Sequence, residues 1–334
     1  MVWADSHLVI ALRPVKVLVS VITVGLLMGL SACGGPSDAN PYDRPAEQTI
    51  DRTADCSPAR TLPEGDSSHA GLFDGKLRQY LLHVPPAYDG TDDTPVVFAF
   101  HGLGGTADVL VAYTGWAAEA DDSNFIVVAP QGLGPVPQWD FVTPASEKGS
   151  DLAFVKELTE QIDKQACTDK ERVFAAGFSN GSALTFALAC SGDFDFAAYG
   201  AVAGAFYRPQ CDSAPDASII YFHGTADPIV PFDGGPTPIA DLDPVSETMA
   251  GWAAHNACAS KASVEAISAT VDEYIWGSCE PGVSLEAYVV KGGGHTWPGA
   301  EQLATLRSLG LTTDDINATE LMWQFFNEHP KRGQ

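Results

Sequence analysis

The chain has 334 residues, 45% hydrophobic, 10% aromatic and 18% charged, a composition too apolar and aromatic for a disordered polymer. Lys and Arg number 18 against 43 Asp and Glu, a net charge of −25. Such a surface repels phosphate backbones and argues against nucleic-acid partners, while naming no substrate.

Arg13 and Lys16 precede an apolar run from Val17 to Leu30. Those fourteen residues span about 21 Å as a helix, short of the roughly 30 Å hydrocarbon core of a bilayer. A basic flank, a short apolar core and small residues after it describe an export signal over residues 1–32. Its end, Leu30-Ser31-Ala32-Cys33, resembles the lipobox of bacterial lipoproteins. That resemblance implies acylation of Cys33 and attachment to the outer face of the cell membrane. Residues 33–55 are polar and contain Pro36, Pro41 and Pro45, which suits a lipidated flexible tether reaching roughly 25 Å. Beyond Cys33 six cysteines remain, and an even number in an exported chain implies three disulfides with 15 conceivable pairings. No CxxC occurs and no His/Cys cluster has zinc-ligand spacing, so no structural metal site is expected.

From residue 56 to about 330 short apolar strands alternate with helical segments, which predicts one α/β domain around a mostly parallel central sheet flanked by helices. Val96–Phe100 reads as a buried strand entering His101-Gly102-Leu103-Gly104-Gly105. Asp151 is placed to cap a helix whose Leu152, Val155, Leu158 and Ile162 recur at helical spacing. Val173–Ala176 is a strand and Gly181–Cys190 the helix after it. Two further strands follow: Ile219–Phe222, leading into His223-Gly224-Thr225-Ala226-Asp227, and Leu285–Val290, ending at Gly292-Gly293-Gly294-His295. A terminal helix turns Leu321, Met322, Phe325 and Phe326 toward the core.

Between a strand and a helix lies Gly177-Phe178-Ser179-Asn180-Gly181. A nucleophilic serine needs such a sharp turn, with glycines two residues either side to avoid collisions. The motif alone is weak: with 32 glycines and 22 serines, about 0.2 matches arise by chance. Chain order strengthens it. Asp227 and His295 each follow a later strand directly, in the order Ser, Asp, His expected when acid and base sit on successive strand-end loops. His7, His69, His255 and His329 lie outside such positions, and His101 and His223 read as packed, turn-bonded imidazoles. The backbone N–H groups of Asn180 and Leu103 are the expected oxyanion donors.

Together the Gly177–Gly181 turn, the His-Gly-X-Gly-Gly loop, His-Gly-Thr-Ala-Asp-Pro-Ile-Val-Pro (223–231) and Gly-Gly-Gly-His-Thr-Trp-Pro-Gly (292–299) resemble secreted polyhydroxyalkanoate depolymerase and feruloyl esterase-type α/β-hydrolases. The resemblance runs from about Gly71 to Phe326 and implies a cofactor-free serine esterase. Ser179 would be the nucleophile, His295 the general base and acid, and Asp227 the residue that orients His295. It also implies the disulfides Cys56–Cys167, Cys190–Cys211 and Cys258–Cys279. One departure is Ser182, where the family usually continues Asn-Gly-Gly; another is Ser150, where it often has a second acidic residue. Trp139 and Trp297 are candidate substrate walls, since flat aromatics can stack on a ring or pack on an acyl chain. Two alternatives remain open at this point: an acyltransferase using the same three residues, and a non-catalytic binding protein that keeps the fold.

Overall fold

A computed structural model of the chain describes residues 56–147, 150–204, 211, 213–237, 241–302 and 308–331. The export signal, Cys33 and the tether expected over residues 33–55 lie outside the described residues.

Ten strands form one sheet. In chain order they are β1 (Gly65–Phe73), β2 (Lys76–Val84), β3 (Thr94–Phe100), β4 (Ile126–Pro130), β5 (Thr168–Phe178), β6 (Ala198–Val202), β7 (Ser218–Gly224), β10 (Ser263–Ala266), β11 (Val271–Trp276) and β12 (Leu285–Val290). The two-residue strands β8 (Gly235–Pro236) and β9 (Asp241–Leu242) pair apart from it. The helices are α1 (Ala107–Thr114), α2 (Trp116–Ser123), α3 (Asp151–Gln165), α4 (Asn180–Ser191), α5 (Val245–His255) and α6 (Ala318–Glu328). The strand order is β1-β2-β4-β3-β5-β6-β7-β12-β11-β10. The six central strands, β4 to β12, are parallel, and an antiparallel hairpin closes each edge.

The period-two alternation of side chains assigns each central strand to both faces. On β3, Val96, Phe98 and Phe100 enter the core shared with α3, α4 and α5, while Val97 and Ala99 enter the one shared with α1, α2 and α6. The second core holds stacked rings, Phe174 against Phe326 at 4.7 Å and Phe125 against Trp323 at 4.1 Å. Since β3 is followed by α1 on one face and β5 by α4 on the other, the chain changes direction between these two neighbours. A crevice opens at the carboxyl ends of strands at such a switch point.

One local expectation is corrected. Helix α3 is capped by Ser150, whose Oγ accepts from Ala153 N–H at 3.0 Å. Asp151 is instead the first helical residue, and its carboxylate is paired with the buried Arg78. In α6 the core positions are Met322, Trp323, Phe325 and Phe326, with Leu321 only partly covered. Disulfides join Cys56 to Cys167, Cys190 to Cys211 and Cys258 to Cys279. The first ties the start of the described chain to the residue just before β5. The third closes the segment carrying the β10–β11 hairpin.

Candidate active site

Three side chains from separate strand ends converge at the switch-point edge. Ser179 follows β5 with φ +56° and ψ −116°, a left-handed φ that a non-glycine residue adopts only under strain. The flanking glycines make the turn possible. A Cβ on Gly177 would strike the Gly181 carbonyl oxygen, and one on Gly181 would strike the Phe100 carbonyl oxygen. Ser182 Oγ donates to the Gly204 carbonyl at 2.8 Å, so the serine that replaces the usual second glycine bonds the helix start to the strand-end loop beside it.

Ser179 Oγ lies 2.8 Å from His295 Nε2, and His295 Nδ1 lies 2.7 Å from Asp227 Oδ2. The Asp227 carboxylate is fully buried, and its other oxygen accepts the N–H groups of Ile229 and Val230, both at 2.8 Å. Two backbone donors and one imidazole nitrogen thus engage both oxygens of the acid and fix its orientation. His223 stands behind it, 3.5 Å from Asp227 Oδ2, its own Nε2 donating to the Val230 carbonyl at 2.8 Å while the Tyr221 hydroxyl bonds Nδ1. Burial lowers the His223 pKa and raises that of Tyr221 well above its ordinary value. His223 is therefore a neutral prop for the acid turn.

The loop after β3 lies against the serine turn: a Cβ on Gly102 would stand 3.2 Å from that of Ser179. His101 shapes this loop. Its Nδ1 donates to the Gly102 carbonyl at 2.7 Å, and its Nε2 accepts from Gly132 N–H at 2.9 Å. Burial lowers its pKa, in keeping with a neutral ring whose Nε2 lone pair is engaged. Leu103 is 53% exposed at the crest of the loop. Among the described residues, neither its backbone N–H nor that of Asn180 meets a protein acceptor, so both can meet an incoming oxygen.

The expectation that Trp139 and Trp297 form substrate walls is corrected. Trp297 is 1% exposed, with its indole N–H on Thr319 Oγ1 at 3.0 Å and Phe178 against its ring. Trp139 is 3% exposed and packs on Phe100 and His101. Both rings are core, because each indole N–H has a buried acceptor that draws it inward. Sequence reasoning missed Arg78 and Asp140, which anchor the loop carrying Trp139: Asp140 N–H donates to Asp151 Oδ2 at 2.6 Å. An arginine within the otherwise apolar inward face of β2 was the available signal. Cys56, Asp93 and Cys167 are close enough together to hold an ion, but the two sulfurs are bonded to each other and offer no thiolate.

No family model matches the chain. Over 165 residues it is 33% identical to the probable feruloyl esterase C of Aspergillus niger, an alignment covering 47% of this chain. The chain spans only 58% of that relative's length. It is 25% identical over 307 residues to the putative esterase NocK of Nocardia uniformis, covering 83% of this chain and 89% of the relative. Among solved structures, the acetyl xylan esterase from Aspergillus awamori superimposes with a TM-score of 0.58 at 18% identity, covering 78% of this chain and 99% of that one. The chain has the fold of the α/β-hydrolases and is related in sequence to esterases.

Proposed function

We propose that the chain is a carboxylic ester hydrolase working through Ser179, His295 and Asp227. The observation that carries this reading is the continuous hydrogen-bonded series from Ser179 Oγ through both nitrogens of His295 to a buried carboxylate. Ser179 Oγ attacks the ester carbonyl carbon as His295 Nε2 takes its proton. The backbone N–H groups of Leu103 and Asn180 bind the oxyanion that forms. Collapse expels the alcohol, which takes the proton back from His295, and leaves an acyl ester on Ser179. Water repeats the sequence: His295 removes its proton, the second tetrahedral adduct collapses, and the acid leaves with Ser179 regenerated. Asp227 holds the imidazole in the Nδ1–H tautomer and stabilises the imidazolium at each step.

Substrates of this reading are feruloyl, acetyl or hydroxyalkanoate esters. The names of the relatives favour the first two. Three disulfides suit an exported protein, and lipidation at Cys33 would hold the domain at the outer face of a membrane. Hydrolysis of p-nitrophenyl esters from acetate to octanoate, and of methyl ferulate, tests the activity beside Ser179→Ala. The variant is expected to lose at least a thousandfold in kcat, on the order seen when a triad nucleophile is removed. A folded, disulfide-bonded wild type without activity would refute hydrolysis. Label at Ser179 from a fluorophosphonate would then leave acyl transfer, and absence of label would leave a binding protein.

A further inference from the structure

The two N–H groups proposed for the oxyanion come from different parts of the chain. Leu103 sits on the loop after β3, and Asn180 opens α4. Nothing covalent nearby fixes their separation, although an oxyanion hole works only when its donors stand 2.7–3.1 Å from the developing charge. The segment Pro137–Asp140, in the connection between β4 and α3, bonds to both. The Pro137 carbonyl accepts from Gly104 N–H at 2.7 Å, one residue from Leu103. The Trp139 indole N–H donates to the His101 carbonyl at 2.8 Å, at the root of the same loop. The Trp139 peptide pairs with the Asn180 side chain: Oδ1 accepts from Trp139 N–H at 2.7 Å, and Nδ2 donates to the Trp139 carbonyl at 3.3 Å. Asp140 N–H, next along, is held by Asp151, itself paired with Arg78 inside the domain.

Given the esterase reading, we infer that Pro137–Asp140 and the Asn180 carboxamide form a splint that sets the spacing of the Leu103 and Asn180 amides. Asn180 is then a residue of two parts. Its backbone N–H faces the oxyanion, and its side chain is a positioning group facing away from substrate. Both polar atoms of the carboxamide are engaged by Trp139, which separates this role from substrate recognition. Trp139 is likewise a positioning residue, since a ring 3% exposed cannot be a contact surface. Displacing a catalytic donor by about 1 Å costs on the order of a hundredfold in rate.

The test uses the full chain with its disulfides formed, in wild-type, Asn180→Ala and Trp139→Phe versions. Active sites are counted by fluorophosphonate titration, and kcat and KM for p-nitrophenyl acetate are expressed per titrated site. The inhibition constant of phenylboronic acid, which forms a tetrahedral adduct on a serine oxygen, is measured in parallel. In both variants kcat per site is expected to fall about 10- to 100-fold with KM within about threefold of wild type, and the boronate to weaken by a similar factor. Unchanged kcat per site with fewer titratable sites or a lower melting temperature would mean a merely structural role and overturn the inference. A rise in KM at constant kcat would make Asn180 a substrate contact and overturn it equally. If Asn180→Ala gives no titratable sites, Trp139→Phe, which keeps a smaller aromatic ring in the core while losing the indole donor, decides. A wild type that takes up no fluorophosphonate removes the esterase reading itself, a failure distinct from the others.

Discussion

Replacing Arg78 by methionine should be among the most destabilising single changes in this domain. Arg78 is 1% exposed, and one guanidinium nitrogen pairs with the carboxylate of Asp151, which is 5% exposed. Among the described residues its Nε and Nη1 are buried without hydrogen-bond partners, and its guanidinium carbon lies 4.5 Å above the Phe154 ring. Removing the cation leaves the Asp151 charge buried with, among the described residues, Asp140 N–H to solvate it. The cost of stranding one member of such a pair is about 3–5 kcal/mol. For a domain of this size each kcal/mol moves the melting temperature by about 2–3 °C, so the midpoint should drop by roughly 6–15 °C. The double variant Arg78→Met/Asp151→Leu should return to within about 1–2 kcal/mol of wild type. The pair is incompletely hydrogen-bonded, and apolar side chains of similar size can replace such pairs at little cost. Denaturant unfolding of the four proteins in the cycle, with disulfides intact, measures both numbers. A single-variant loss under about 1 kcal/mol, or a double variant no better than Arg78→Met, would refute this account of the pair.

Opening the Cys56–Cys167 bridge by Cys56→Ser and Cys167→Ser releases a loop of 111 residues and should lower stability by about 4.8 kcal/mol in the chain-entropy picture. Opening Cys258–Cys279, with a separation of 21, should cost about 3.3 kcal/mol, so the two midpoints in guanidinium separate measurably. Glu286, on β12, has its pKa pushed up to about 7 by burial first and then by Glu273 and Glu328. The folded state thus holds this proton more tightly than the unfolded chain, and stability falls as pH rises from about 4.5 to about 7 and then levels. Glu286→Gln should match wild type near pH 4.5 and exceed it by about 2 kcal/mol at pH 8, as read from urea midpoints. Equal differences at both pH values would show that Glu286 does not titrate in this window.

Much of the site was legible in the sequence because Ser179, Asp227 and His295 each follow an apolar strand, so local pattern places them on one edge. The supporting contacts were not legible. Arg78 and Asp151 are 73 residues apart, and Trp139 and Asn180 are 41 apart. In the second case the partner of the asparagine side chain is a backbone, which carries no residue-type signal. Trp139 was misread for a related reason: composition marks an aromatic near a site, whereas only the His101 carbonyl reveals that the ring turns inward. At the start of α3, Ser150 and Asp151 are both good caps, and the buried arginine decides between them by claiming the aspartate. The edge hairpins were also missed. Strand β10 is exposed throughout, and β1 alternates between exposed and half-covered residues until Phe73, so neither shows an apolar run.

The bridge from Cys56 to Cys167 has a mechanical side. Cys167 immediately precedes β5, the strand whose other end delivers Ser179. Tension applied through the chain before Cys56 would enter the domain at the amino edge of the sheet and pass covalently into β5. Flanked by β3 and β6, β5 would carry that load in shear, with a row of backbone hydrogen bonds on each side resisting together. The bridge and the Ser179 edge thus lie at opposite ends of one strand, so a pull on Cys56 acts along β5 rather than across the loops that carry Asp227 and His295.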